Sequence, residues 1–401
     1  MTRKPLIAVK DQNCLACNFC DHSVACALKT DGCIGCAACV IACPQRARSL
    51  KPRKGATTII EFMLDGQACA AEGPVSILDA LCELGRATRE FQPGGRQLQA
   101  LCGTGGCASC TVLVDGVATR SCVTPLRKGM EIVTDPALLR QAESRRMVTL
   151  LRPAPHFHPS IFAHGCNYRC DFCHNWNLTF SGTGSLLTAK ECVTQLRLNA
   201  EEDYWIGISG GEPTLNRAWL IETIRHLRRA MPDSRIQLDT NASVMTPDYI
   251  DEVVQAGITD VSPDVKALDL ETFMKVTGVE HRELAHRYLD TTWNAVRYFQ
   301  EHYSRQVFMA VSLPCHPRIH SKAELEAMAA ALVSINPEMR VTLIEYQPAF
   351  RRRDWPFLTE KTMEQARQIL ESAGLRHVIV QGGQAIPRAV DPLDISLTSE
   401  D

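Results

Sequence analysis

Residues 203–241 read DYWIGISGGEPTLNRAWLIETIRHLRRAMPDSRIQLDTN. The apolar run YWIGIS ends in two glycines. NRAWLIETIRHLRRA follows, with apolar residues at helical spacing, and then a second short run, RIQLDTN. Strand, helix and strand in this order form a parallel crossover. The rhythm continues downstream. PDYIDEVVQAG predicts a helix, TDVSPDVKA a strand, residues 282–302 a long helix and QVFMAVSL a strand. KAELEAMAAALVSI, RVTLIEY, EKTMEQARQILESAG and HVIV then read as helix, strand, helix and strand. Such alternation predicts an α/β domain with a parallel sheet, and a curved, partial (β/α) TIM-like barrel over 157–385 accommodates it. Chemistry in such folds gathers at the carboxyl ends of the strands. Those ends carry Gly210, Gly211, Glu212 and Pro213, then Asp239, Thr240 and Asn241, then Asp264 and Lys266.

The whole chain has 401 residues, 45% apolar and 22% charged, with a formal net charge of -2. That balance predicts no nucleic-acid partner and no anionic membrane surface. No apolar run is long enough to span a bilayer, and MTRKPLIAVKDQNC does not read as a secretory signal. The nineteen cysteines are the informative excess. Their number is odd and they bunch tightly. Disulfide frameworks belong to small secreted chains. Tight C-x2-C runs in a long chain of this composition point to metal in a cytoplasmic, low-oxygen setting.

A first domain is expected over 1–52. Cys33, Cys36, Cys39 and Cys43, followed by Pro44, form C-x2-C-x2-C-x3-C-P, the bacterial ferredoxin run for [4Fe-4S] clusters. Structural zinc more often uses two separated C-x2-C pairs. The earlier run, Cys14, Cys17, Cys20 and Cys26, keeps the spacing at first, but Cys26 comes after five residues and has no proline. Its CNFCDHSVACAL stretch resembles the C-x2-C-x5-C run in the large iron–sulfur subunit of respiratory NADH dehydrogenase and in iron-only hydrogenases. There a histidine completes the set. Asn13 stands at that position here, with Cys14 beside it as a substitute. Two groupings stay open: Cys14, Cys17, Cys20 and Cys26 hold one cluster locally, or Cys26 and Cys43 are exchanged between two.

KPRKGATT is a turn-rich linker, and a second domain is expected over 57–134. TIIEFMLDGQACAA reads as a hairpin turning at Asp-Gly. PVSILDALCELG reads as a helix capped by Ser76 and stopped at Gly85. Cys102, Cys107, Cys110 and Cys122 give C-x4-C-x2-C-x11-C, whose start is the plant-type [2Fe-2S] loop. Gly103, Gly105 and Gly106 let the backbone fold tightly there. The segment resembles the small β-grasp iron–sulfur modules of molybdenum hydroxylases. Cys69 and Cys82 fall outside the ligand set and read as small buried hydrophobes. Residues 135–156 read as a linker with helical content, and 386–401 as a C-terminal tail.

Residues 164–175, HGCNYRCDFCHN, hold three cysteines within eight positions. Three ligands leave one iron of a cuboidal [4Fe-4S] cluster open, a defect in a structural site but a substrate position in a reactive one. Cys166-x3-Cys170-x2-Cys173 is the spacing of the radical S-adenosylmethionine (SAM) superfamily, and Phe172 fits the aromatic position before the third cysteine. The resemblance implies that the amino and carboxylate groups of SAM chelate the open iron. One electron then cleaves the sulfonium C–S bond to give methionine and a 5′-deoxyadenosyl radical. It implies further that Gly210, Gly211, Glu212 and Pro213 receive the methionine ammonium.

LDTN and DVK resemble the corresponding strands of pyruvate formate-lyase activating enzyme and related glycyl radical enzyme activases. By that resemblance Asp239 and Asp264 help bind a monovalent cation beside the cofactor carboxylate, and Lys266 meets the carboxylate itself. Three departures stand out. Ala242 replaces a frequent glycine, Pro263 precedes Asp-x-Lys and shifts the backbone there, and the accessory cysteine runs lie N-terminal to the radical loop.

Three further features are weaker. Cys315 and His316 in LPCHP lie near the active face, but a buried thiol is more often inert. His164 and His174 flank the cluster loop. FRRRDW at 350–355 reads as a solvated charge run before it reads as a partner site.

The modules imply three [4Fe-4S] clusters and one [2Fe-2S] cluster, arranged to relay electrons from an external low-potential donor. The leading expectation is an activase that abstracts the Cα hydrogen of a glycine in a glycyl radical enzyme. The alternatives are a radical SAM enzyme acting catalytically on a small molecule, a peptide or a metallocofactor precursor, and an electron-transfer iron–sulfur subunit.

Overall fold

The computed structural model describes residues 5–25, 32–55, 57–95, 97–141, 143–151, 158–199 and 203–382. Cys26, the end of the expected linker at 152–156 and the 386–401 tail lie outside the described residues. The chain divides into two compact units, Met1–Asn167 with Leu178–Ser234, and Tyr168–Asn177 with Arg235–Asp401.

The first unit opens with an antiparallel ribbon that pairs Leu6–Lys10 with Arg48–Pro52. Both cysteine runs lie between these strands, with short helices at Phe19–His22 and Ala38–Ala42. A five-stranded sheet follows, in the order Gln67–Gly73, Thr58–Leu64, Glu131–Val133, Thr111–Val114, Val117–Arg120. Asp65 and Gly66, both at positive φ, turn the first hairpin, and Asp115 and Gly116 turn the second. Helix Ile77–Glu83 packs its apolar residues Ile77, Leu78, Ala80 and Leu81 inward, and Ser76 Oγ accepts the N–H of Asp79 at its start. Mixed pairing around one helix makes the β-grasp arrangement.

Residues 145–151, expected inside a linker, form a strand. The apolar and β-branched residues of MVTLL suit one, and it pairs antiparallel with Ser160–Ala163 on one side and with Ser185–Thr188 on the other. Ser160–Ala163 pairs in parallel with Trp205–Gly210. Helix Ala189–Leu196 starts at a capping box formed by Thr188 and Glu191. Helix Arg217–Ala230 follows the GGEP turn, capped by Asn216.

The second unit contains five parallel strands in the order Arg235–Thr240, Asp260–Pro263, Phe308–Cys315, Arg340–Glu345, His377–Gln381. The crossovers are helices Pro247–Ala256, Arg282–Tyr303, Lys322–Ile335 and Glu360–Ser372, with an extra helix at Leu270–Thr277. Ile236, Leu238, Val261, Val311, Leu313, Val341 and Leu343 form the centre, each at most 2% exposed. Pro263 does not break the ladder. Asp264 N donates to Thr240 O at 2.8 Å and Val265 N to Ser312 O at 2.8 Å, so pairing resumes at once. The fold is mixed α/β. Among the described residues no helix is long and apolar enough to cross a membrane.

Candidate iron–sulfur and cofactor sites

Cys14, Cys17 and Cys20 line one cavity, and Cys43 lines it with them. Cys26, which takes part in either grouping left open by the spacing, lies outside the described residues. Ala8 N donates to Cys33 Sγ at 3.3 Å and Ala47 N to Cys43 Sγ at 3.3 Å. Residues inside the C-x2-C turns take left-handed backbone, with φ of 51° at Ala16, 57° at Asn18, 65° at Ala37 and 57° at Ala108. Each such non-glycine residue costs about 1–2 kcal/mol. Loops held this way, with amides turned toward sulfur, fit a bound cluster that offsets the strain.

Arg48 was not singled out in the sequence. It is 8% exposed, and its Nη2 donates to Cys20 Sγ at 2.8 Å and to Asp21 Oδ1 at 3.2 Å. A cation bonded to a ligand thiolate favours the more negative, reduced form of a cluster. Arg48→Gln should therefore lower the potential of a cluster held by Cys20 by on the order of 60 mV, a tenfold change in a one-electron ratio. An EPR-monitored redox titration reads the shift. An unchanged potential would remove Arg48 from this role.

Cys102, Cys107, Cys110 and Cys122 are each 1% exposed. Bonds from Cys107 and Cys122 pull the Cys102 thiol well below its usual range, and a bond from Cys122 lowers that of Cys110. Thr104 N donates to Cys102 Sγ at 3.5 Å. Four buried thiols in mutual contact suit two irons held by two pairs of sulfurs. Among the described residues no three His, Cys, Asp or Glu side chains close on a single ion, and a cluster stands on a wider frame than one ion.

In the first unit, Gly210 has φ 115°, and a β-carbon there would lie 2.5 Å from Ala163 N and O. One on Gly211 would overlap the Gly165 carbonyl. These two glycines let the GGEP turn lie against the segment leading to Cys166. Gly211 N donates to Ala163 O and Glu212 N to Gly165 O. Glu212 is fully buried, and its Oε1 accepts from Thr214 N at 3.0 Å and Thr214 Oγ1 at 2.5 Å. Pro213 opens the following 3-10 turn.

Beneath this turn lies Arg146, 0% exposed and missed in the sequence because its strand read as linker. Its guanidinium donates to the carbonyls of Pro213, His164 and Glu212. His164 braces the same place. Its Nδ1 donates to Ser181 O at 3.1 Å and its Nε2 accepts from Thr149 Oγ1 at 2.9 Å, while burial lowers its pKa.

The chain enters the second unit between Asn167 and Tyr168. There Phe172 packs among Val276, Ile319 and Tyr346, with Trp355 against the group. FRRRDW is not a solvated run. Arg351 N donates to Asp171 O at 3.0 Å, and the Arg352 guanidinium pairs with the Asp171 carboxylate at 3.0 Å. Phe350 stacks on Trp176 at 5.3 Å. Aromatic rings and one half-buried acid draw these arginines onto the loop that carries Cys170 and Cys173. Cys170 and Cys173 are half-buried. Burial pushes the Cys170 thiol up to about 12, with Lys266 pulling the other way. His174 Nε2 accepts from Gln347 N at 3.0 Å.

Lys266 is 8% exposed, and its Nζ donates to Asp264 Oδ2 at 2.8 Å. Burial opposes its charge, but the Asp264 carboxylate bonded to it outweighs burial, and its pKa lies above the ordinary lysine value. His320 Nε2 donates to Lys266 O at 2.8 Å. Asp239 accepts from Gln237 Nε2 at 2.6 Å, on the strand beside that of Asp264. Cys315 is 2% exposed and burial lifts its thiol to about 12, the state of an inert core cysteine.

Ala242 has φ 53°, a conformation that favours glycine. Ala242→Gly should therefore stabilise the protein by about 0.5–1 kcal/mol once the entropy of glycine is subtracted. A higher denaturation midpoint would show it. A lower one would mean that the β-carbon packing outweighs the strain.

Residues 160–329 match the radical SAM superfamily, and residues 57–137 match the 2Fe-2S iron-sulfur cluster binding domain. The chain therefore carries a radical SAM domain with a [2Fe-2S] domain N-terminal to it. It is 33% identical over 118 residues to a Thermoplasma volcanium protein named as a GTP 3′,8-cyclase, 29% of this chain and 35% of that one. It is 28% identical over 155 residues to the FeMo cofactor biosynthesis protein NifB of Klebsiella pneumoniae, 33% of each chain. It is 35% identical over 112 residues to a Methanocaldococcus jannaschii protein named as a glycyl-radical enzyme activating enzyme, 26% of this chain and 42% of that one. The chain thus spans well under half the length of these relatives.

Proposed function

We propose that this protein cleaves S-adenosylmethionine reductively and uses the resulting 5′-deoxyadenosyl radical to abstract a glycine Cα hydrogen in a partner glycyl radical enzyme. Cys166, Cys170 and Cys173 would hold a [4Fe-4S] cluster with one open iron, which when bound supplies the electron and the chelation site. Glu212 and the Gly210–Gly211 turn would receive the methionine ammonium. The observation that carries the subfamily reading is the cradle in the second unit. A protonated Lys266, paired with Asp264 and set beside the strand of Asp239, suits a carboxylate and a monovalent cation. The relative named as an activating enzyme supports the same reading.

Two N-terminal [4Fe-4S] centres and the [2Fe-2S] centre would pass electrons from an external low-potential donor, in a cytoplasmic, low-oxygen setting. The other relatives favour a second reading, catalysis on a small molecule or a metallocofactor precursor. An anaerobic incubation of reconstituted protein, S-adenosylmethionine and dithionite with extract of the native host separates the two. A persistent glycyl-type EPR doublet supports activation. Abundant 5′-deoxyadenosine with no stable protein radical would overturn it in favour of the second reading.

A further inference from the structure

The loop that carries Cys102, Cys107 and Cys110 rests directly on the segment that leads into Cys166, within the first unit. The contact is backbone on backbone. A β-carbon on Gly106 would lie 2.5 Å from Gly165 N and 2.7 Å from His164 C. One on Gly165 would lie 2.6 Å from Cys107 N and 3.2 Å from Cys102 Sγ. Two hydrogen bonds tie the loop down: Met147 N donates to Gly106 O at 3.2 Å, and Asn216 Nδ2 donates to Cys107 O at 3.2 Å. Asn216 lies just past the GGEP turn, and Met147 also accepts at its carbonyl from His164 N. The ligand frames of two cofactor sites thus meet with no side-chain layer between them.

A junction that served packing alone would bury apolar side chains, as the rest of this unit does. Glycine on both sides serves close approach instead. The buried Arg146 cation adds to this, because it bonds the carbonyls of His164 and Glu212 and lies one residue before Met147, which ties down the Gly106 carbonyl. A positive charge held there eases the arrival of an electron at either site.

We propose that this junction is the electron entry to the radical site, so that the [2Fe-2S] centre is the immediate donor to the cluster at Cys166. The inference rests on the radical SAM reading above. One electron from an external low-potential reductant converts the [2Fe-2S] centre from its 2+ to its 1+ state. Transfer returns that centre to 2+ as the [4Fe-4S] cluster passes from 2+ to 1+. The same electron then breaks the sulfonium C–S bond, leaving methionine and the carbon radical.

The test uses the full chain, reconstituted and reduced with dithionite. In the wild type the reduced [2Fe-2S] EPR signal should be broadened and relax at least tenfold faster than in Cys166→Ala, which lacks the neighbouring spin. The N-terminal clusters contribute equally to both samples. Identical relaxation in the two would overturn the proposal. Gly106→Ala, which must push the loops apart, should slow freeze-quenched reduction of the radical cluster at least tenfold at unchanged iron content. Unchanged reduction would also overturn it. Where that variant loses its cluster, the comparison with Cys166→Ala decides alone. The two readings fail separately. 5′-Deoxyadenosine formed under excess reductant without spin coupling would leave cleavage standing and sink the relay order. Coupling without 5′-deoxyadenosine would do the reverse.

Discussion

Cys170→Ala should lose about four irons per chain, the content of one [4Fe-4S] cluster, and 5′-deoxyadenosine production should fall to the level of reductant alone. The effect is this large because Cys170 and Cys173 sit on a loop whose position is otherwise secured. Phe172 is packed in an aromatic cluster, and Asp171 is clasped by Arg351 and Arg352. The variant therefore keeps its fold, and its failure is chemical. Burial raises the free thiol, and the positive charge of iron offsets that cost when it displaces the proton. Iron and sulfide analysis, with quantification of 5′-deoxyadenosine, checks both halves. Retained product would mean that the three-cysteine loop is not the cleavage site.

Arg146→Met should destabilise the protein by roughly 3–5 kcal/mol, because the guanidinium is fully buried and serves three carbonyls. Those carbonyls belong to His164, Glu212 and Pro213, so the cost falls on the radical loop and the GGEP turn together. The guanidinium also lies over the Trp219 ring at 5.8 Å. Arg146→Lys keeps the charge but cannot fork to three acceptors, and it should fall between the two. Denaturation of the anaerobic holoprotein reads the order. A methionine variant within 1 kcal/mol of wild type would show that solvent reaches these carbonyls.

Arg146 also shows where sequence reading stops. The helices after 216 were legible because their apolar faces recur at helical period, and Lys322–Ile335 matches the expected segment end to end. The C-x2-C runs, GGEP, LDTN and DVK were legible because metal and zwitterion chemistry needs those residue types at short spacing. The strand Arg145–Leu151 was not, because its polar and apolar residues do not alternate and its antiparallel partners are only four residues long. An arginine within it reads as surface until the carbonyls that it serves are known. FRRRDW misled for the same reason. Three arginines in a row imply solvent, yet Asp171, distant in sequence, draws two of them onto the loop. Ala242 was noted only as a departure from glycine, and its φ of 53° supplies the physical cost.

The most direct measurement of the central claim is electron–nuclear double resonance on the reduced protein with S-adenosylmethionine carrying 13C in its carboxylate and 15N in its amine. The account predicts hyperfine coupling from both labels to a [4Fe-4S] spin, lost in Cys170→Ala. Absence of coupling from either label in a sample with a full reduced cluster would contradict it, because no open iron would then be holding the cofactor.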